Sequence, residues 1–195
     1  MVVLPITKLQ TSNDNDIVDL ASGNEWQTTF PHELFHIISR NNPDLRNKLY
    51  KCIGYHLIPN DLNADLPNNL AHLKITNPDA PVIKHYIKLC TKDSEDNELC
   101  LAPILVASQP YSPDKYTSFF DYLLTKFAIL DENWQVTSLI SYSDVIGFYD
   151  KIGRNTTYII HPEEILADNF VFLVTHETKV PSPNILQLMM DVLKE

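Results

Sequence analysis

Cysteine is scarce in this chain, with Cys52, Cys90 and Cys100 the only three among 195 residues. An odd count without C-x-x-C spacing reads neither as a disulfide framework nor as a cysteine-rich zinc module. Cys90 and Cys100 could face each other across a hairpin, but free thiols are the expectation. Positive charge is also in short supply. The 15 Lys and Arg face 25 Asp and Glu, giving a formal net charge of −10, and no run of Lys or Arg forms a basic patch. That balance argues against a nucleic-acid backbone or an anionic membrane as the main partner. No apolar run approaches the roughly 20 residues that span a bilayer. The opening "MVVLPITKLQ" lacks both the basic start and the long apolar core of a signal peptide. A cytoplasmic protein is expected. Internal repeats and low-complexity segments are absent as well.

What is present suits one globular domain. Hydrophobic residues make up 44% and charged residues 21% of the sequence, in a chain long enough to bury a sizeable core. "VVLPI" is β-branched and reads as a strand, followed by the polar loop "QTSNDNDIVDLASGNE". From Trp26 the period is helical, with Phe30, Leu34, Ile37 and Ile38 on one stripe. A second helix starts at Pro43 after Asn42 and ends near Gly54. Residues 57–81 are rich in proline, Asn and Asp and predict an irregular connection with one short helix near Asn68 to Leu73. Within it, "KITNPDAP" reads as a turn. "VIKHYIKLC" and "LCLAPILVAS", separated by the charged turn "TKDSEDNE", read as an antiparallel hairpin, with "FDYLLTKFAIL" as a third strand beside it. Tyr116, Phe119, Phe120 and Tyr122 form an aromatic cluster that reads as core packing. "SYSDVIGFYDKIG" predicts a short helix with Ser143 as its N-cap. "HPEEILADNFVFLV" predicts a strong helix with Pro162 in its first turn, and "SPNILQLMMDVL" a last helix capped by Ser182.

The chemistry concentrates in "FPHELFHIISR". His32, Glu33 and His36 form H-E-x-x-H, and positions i and i+4 share one helix face, so both imidazoles can reach a single ion. Zinc accepts imidazole nitrogen, and a catalytic site uses three protein ligands plus water. Glu33 need not bind the metal and can take a proton from the metal's water. A chance match in a chain of this length is expected roughly once in a hundred sequences or less. A third ligand is required, and Glu164 in "HPEEILADNF" is the best candidate. Asp168, one turn on, can accept the other ring N–H of a ligating histidine. Glu163 is the rival ligand, but its i+4 partner is Ala167, which cannot orient a histidine. His56, His72, His85 and His176 lie in no ligand spacing.

H-E-x-x-H followed by E-x-x-x-D on a later helix resembles the gluzincin metallopeptidases, the thermolysin-like group. The resemblance implies one zinc ion held by His32, His36 and Glu164, with Glu33 as base and proton shuttle and Asp168 orienting a histidine. It also implies a tyrosine and a histidine that stabilise the oxyanion. Tyr158 and His161 are the candidates, with Arg154 more remote. In that group the second motif follows the first closely, whereas here Glu164 lies 128 positions beyond His36. The chain is also similar to a bacterial family carrying "HELFHIISRNNP", "TNPDAP", "GRNTTYIIHPEEILADNF" and "VPSP", a resemblance that implies no particular substrate.

The expected fold is α+β, a helical zinc-site core carrying the two motif helices plus a small antiparallel sheet from an inserted hairpin region. Residues 1–195 form one domain, with 55–141 as the inserted loop and sheet subregion. The expected function is zinc-dependent hydrolysis of a peptide or protein substrate, with no nucleic-acid or membrane partner. The alternative is a metallopeptidase-like zinc protein without turnover that acts as a binding or regulatory module.

Overall fold

The computed structural model describes residues 24–59, 66–109, 112, 114 and 122–195. The strand expected at "VVLPI", most of the loop after it, and Tyr116, Phe119 and Phe120 lie outside the described residues. The helices are α1 (Asn24–Asn41), α2 (Pro43–Cys52), α3 (Asn68–Ala71), α4 (Phe148–Ile152), α5 (Pro162–Val174) and α6 (Pro183–Leu193). The strands are β1 (Tyr55–Leu57), β2 (Lys74–Ile75), β3 (His85–Thr91), β4 (Ser94–Ala107), β5 (Leu123–Leu130), β6 (Val136–Ser141) and β7 (Val145–Ile146).

The sheet overturns the expected proportions. Among the described residues it has seven strands, all antiparallel, in the order β1-β3-β4-β5-β6, with β2 also pairing with β4 and β7 with β3. It is the centre of the fold, not a small appendage to a helical core. The hairpin itself is longer than its sequence suggested. Thr91 pairs with Ser94, so only Lys92 and Asp93 turn the chain, and the polar stretch from Ser94 to Glu98 continues as strand. Pro103, which has no N–H to give a ladder, falls where β3 has ended at Leu101 and β2 has not yet begun at Leu105.

Both faces of the central strands are covered. Leu101, Phe127, Ile87 and Leu89 join the core shared with the helices. Ala102, Ile104, Val106, Ala128 and Leu130 point the other way, onto Ile58, Leu66 and Ile83 of the connecting segments. Burial on two faces explains why β4 and β5 read as apolar runs instead of alternating patterns. The helix expected across "SYSDVIGFYDKIG" begins only at Phe148. Ser141 and Asp144 close a 3-10 turn through reciprocal capping bonds, and Val145 and Ile146 then pair with β3. Cys52, Cys90 and Cys100 are all free thiols. Among the described residues, no helix is long and apolar enough to cross a membrane.

Candidate metal centre

Helix α1 turns a different face inward from the one its apolar residues predicted. Phe30 is 51% exposed and Ile37 38%, while Leu34 and Ile38 are only partly covered. The buried face is Phe35, His36 and Ser39, with half-buried His32 one turn earlier. This set has helical spacing too, and its partner decides between the two. Helix α5 is buried along most of its length, and it presents Glu163 and Glu164 at 3% and 2% exposure. Buried carboxylates need hydrogen-bond partners, and the imidazoles supply them. Phe35 seals the helix pair beside the site, with its ring 5.7 Å from that of Phe170.

Each histidine is held from behind by its own carboxylate. His32 Nδ1 donates to Asp168 Oδ1 at 2.9 Å, and His36 Nδ1 donates to Glu163 Oε1 at 3.0 Å. Asp168 is fixed in turn by the Thr156 hydroxyl, which donates to Oδ2. Glu163 Oε2 accepts from Ser39 Oγ at 2.7 Å and from the Tyr50 hydroxyl. Carboxylates behind Nδ1 leave both Nε2 atoms facing the site, as ligating histidines require. The Nε2 atoms lie 3.2 Å (His32) and 3.5 Å (His36) from Glu164 Oε2. The other oxygen, Oε1, accepts from Asn77 Nδ2 at 3.0 Å, so Oε2 is the one left for an ion.

The donor set fits zinc. Bonds of about 2.0–2.1 Å in a tetrahedron place ligand atoms roughly 3.3–3.4 Å apart, close to both nitrogen–oxygen separations. One ligand atom from each of His32, His36 and Glu164 lies within 4.8 Å of the others. Without an ion the same groups satisfy one another electrostatically. Burial lowers both imidazoles, but the hydrogen bonds His32 donates to Asp168 and Glu164 outweigh it and raise His32 to about 9. Glu163 and Glu164 do the same for His36, to about 10. Burial raises Glu164, yet its bonds to His32, His36 and Asn77 carry its carboxyl well below the usual range.

The remaining expected residues divide. Tyr158 is 45% exposed and its ring stacks on His32 with 6.3 Å between centroids. Partial burial, then the carboxylates of Glu164, Asp79, Asp168 and Glu33, push its phenol up to about 12. It therefore stays protonated beside the site. Glu33 is half-buried and contributes to the negative charge that Tyr158 faces. His161 caps α5, where its Nδ1 accepts from the Glu163 N–H at 3.1 Å, and its ring meets Tyr50 edge-on. Arg154 lies over the Tyr149 ring at 4.7 Å. His85, which no spacing singled out, is buried behind the site and donates from Nε2 to Asn47 Oδ1 at 2.9 Å.

A short segment between α4 and α5 sets Thr156 and Tyr158. Gly153 has φ +76°, and a Cβ there would lie 2.8 Å from Ile185, so only glycine lets the chain pass this close to α6. Asn155 then bridges to Asn169 Oδ1 at 2.8 Å and to the Ser182 carbonyl at 2.9 Å. Thr156 Oγ1 accepts from the Tyr158 N–H at 2.9 Å.

No family model, curated protein or solved structure matches this chain. The class is therefore defined by fold and site: an α+β domain with a His/His/Glu group able to hold a metal ion.

Proposed function

We propose that this protein is a cytoplasmic zinc-dependent hydrolase and, within that class, a gluzincin-like metallopeptidase acting on peptide or protein substrates. The observation that carries the reading is the pair of imidazoles, each backed by a carboxylate on Nδ1 and turned with Nε2 toward Glu164. A structural ion-pair cluster needs no general base beside it, but here Glu33 follows His32 directly in the sequence. Zinc held by His32, His36 and Glu164 would supply a Lewis acid that lowers the pKa of its water toward about 7 and polarises a carbonyl.

The chain's own residues do the rest. Glu33 takes the proton of the attacking water and passes it to the leaving amine. Tyr158, kept neutral, donates a hydrogen bond to the oxyanion that develops on the peptide carbonyl. Asp168 and Glu163 keep the two rings oriented throughout.

The test is a pair of variants assayed with fluorogenic peptides and by metal analysis of untagged protein. Glu33→Gln should retain stoichiometric zinc and lose turnover by about 10²-fold or more. Parental turnover in that variant would sink the mechanism. His36→Ala should lose the metal, and stoichiometric zinc surviving there would remove the ligand assignment.

A further inference from the structure

Behind the metal centre lies a second cavity of about 270 Å³, and its lining is unusual for a chain with a net charge of −10. Arg46, Lys84 and Arg40 all border it. Among the described residues, only Arg40 of these three has an ion-pair partner, Asp79 at 3.0 Å. The Nε of Arg46 is buried without a hydrogen-bond partner among the described residues, a state that buried polar groups rarely tolerate. Two carboxylates reach the lining, and both are engaged. Asp79 holds Arg40, and Glu163 is saturated by His36, Ser39 and Tyr50. His85 and His161 complete the polar wall as neutral rings: burial and the nearby cations hold His85 down to about 3, and burial holds His161 down to about 4.

The cavity is joined to the metal centre through two elements. Ser39 lies one turn beyond His36 on α1. The turn at Asn77 reaches the metal site through its Nδ2 bond to Glu164, and Asp79, whose N–H bonds Asn77 Oδ1, lies on the cavity side. The volume is smaller than the roughly 300–1,000 Å³ of sites that enclose a whole small molecule. It suits one anionic side chain or chain terminus.

We propose that this cavity is a carboxylate-binding subsite in which Arg46 and Lys84 receive an acidic side chain or the free C-terminus of a peptide. Binding of the carboxylate stands on the cavity alone, whereas its role as a substrate subsite rests on the hydrolase reading. Arginine paired with a carboxylate gives charge-assisted, directional hydrogen bonds.

The experiment is calorimetric titration of the EDTA-stripped protein with four probes: N-acetyl-Ala-Ala, its C-terminal amide, N-acetyl-Glu amide and inorganic phosphate. At least one carboxylate probe should bind, and the neutral amide should not. The free-acid dipeptide and the glutamyl amide then tell a chain terminus from a side chain. Arg46→Gln should weaken that binding by about tenfold or more. Lys84→Gln gives the same reading if the arginine variant does not fold. Equal binding of the neutral amide, phosphate binding in place of both carboxylates, or unchanged affinity in a folded variant would overturn the proposal. Because the titration needs neither zinc nor turnover, a silent Glu33 would not touch it. Carboxylate binding without hydrolysis would leave the pocket standing and remove the enzyme.

Discussion

Glu163 and Glu164 are neighbours on α5, yet they do different work. Glu164 presents Oε2 to both Nε2 atoms, while Glu163 reaches past it to His36 Nδ1. Sequence alone makes Glu163 only a rival ligand, because its helix partner at i+4 is Ala167. Its true partners, Ser39 and Tyr50, sit on two other helices and carry no spacing signal relative to it. Ser39 did leave a trace, since it lies three residues after His36 on the same face of α1. Asp168 is legible because it lies one turn beyond Glu164, where it can orient a ligating histidine, and that histidine is His32. Glu163→Gln keeps an oxygen for Ser39 and Tyr50 but removes the charge behind His36. It should weaken zinc binding by about 10–100-fold, measured by competition with a chelator, with the fold intact by circular dichroism. Parental affinity in that variant would show that Glu163 only packs.

At the scale of elements, the long helices were readable and the short strands were not. Two-residue β2 and β7 and three-residue β1 offer no period to detect, and β6 is a strand that the sequence reading does not include. They are strands because β3, β4 and β5 leave unpaired edges that their backbones fill. Helix α5 starts at Pro162, as its sequence predicts, and its cap makes stability depend on pH. The His161 Nδ1 must stay unprotonated to accept the Glu163 N–H, and burial pushes this ring down to about 4. Burial, with His161 and Arg46 adding, holds His85 at about 3, against 6.5 for the free group. Folded values below the unfolded one mean that the unfolded chain takes up protons first. Stability is therefore complete above about 6.5 and is lost as pH falls. His32 and His36, raised to about 9 and 10 in the metal-free protein, run the other way: their contribution is complete below about 6.5 and is lost as pH rises from there toward 9 and 10. Between about pH 6.5 and 4.5 the slope thus belongs to His85 and His161, with exposed His56, also lowered by burial, adding to it. Each full proton is worth about 1.4 kcal/mol per pH unit. His161→Asn preserves a capping acceptor and should remove about one proton from that slope in urea titrations of metal-free protein. An unchanged slope would place the titrating group elsewhere.

Across the whole molecule, the two halves of the site arrive from opposite sides of the sheet in sequence. His32 and Glu164 are 132 positions apart and close to 3.2 Å in space. The motifs revealed the ends of that span. Its middle shows in the sequence only the β3–β4 hairpin with β5 beside it, because the short strands that widen the sheet carry no pattern of their own. An ion at the site would tie α1 to α5 and close a loop of 132 positions between His32 and Glu164. It would bind the folded chain alone, since the unfolded chain does not hold these groups together. Zinc at 100 times its dissociation constant then stabilises by about 2.7 kcal/mol. For a chain of this size that corresponds to a rise in melting temperature of roughly 5–10 °C. Calorimetry of EDTA-stripped protein with and without added zinc measures the shift directly. His36→Ala should abolish it, because the ion then loses a ligand while Glu164 keeps Asn77 and His32. Magnesium, which prefers six oxygen ligands, should give no comparable shift. An equal zinc shift in His36→Ala would mean that the ion binds somewhere other than this centre, and no zinc shift in the parent would mean that the cluster holds α1 to α5 as an ion pair alone.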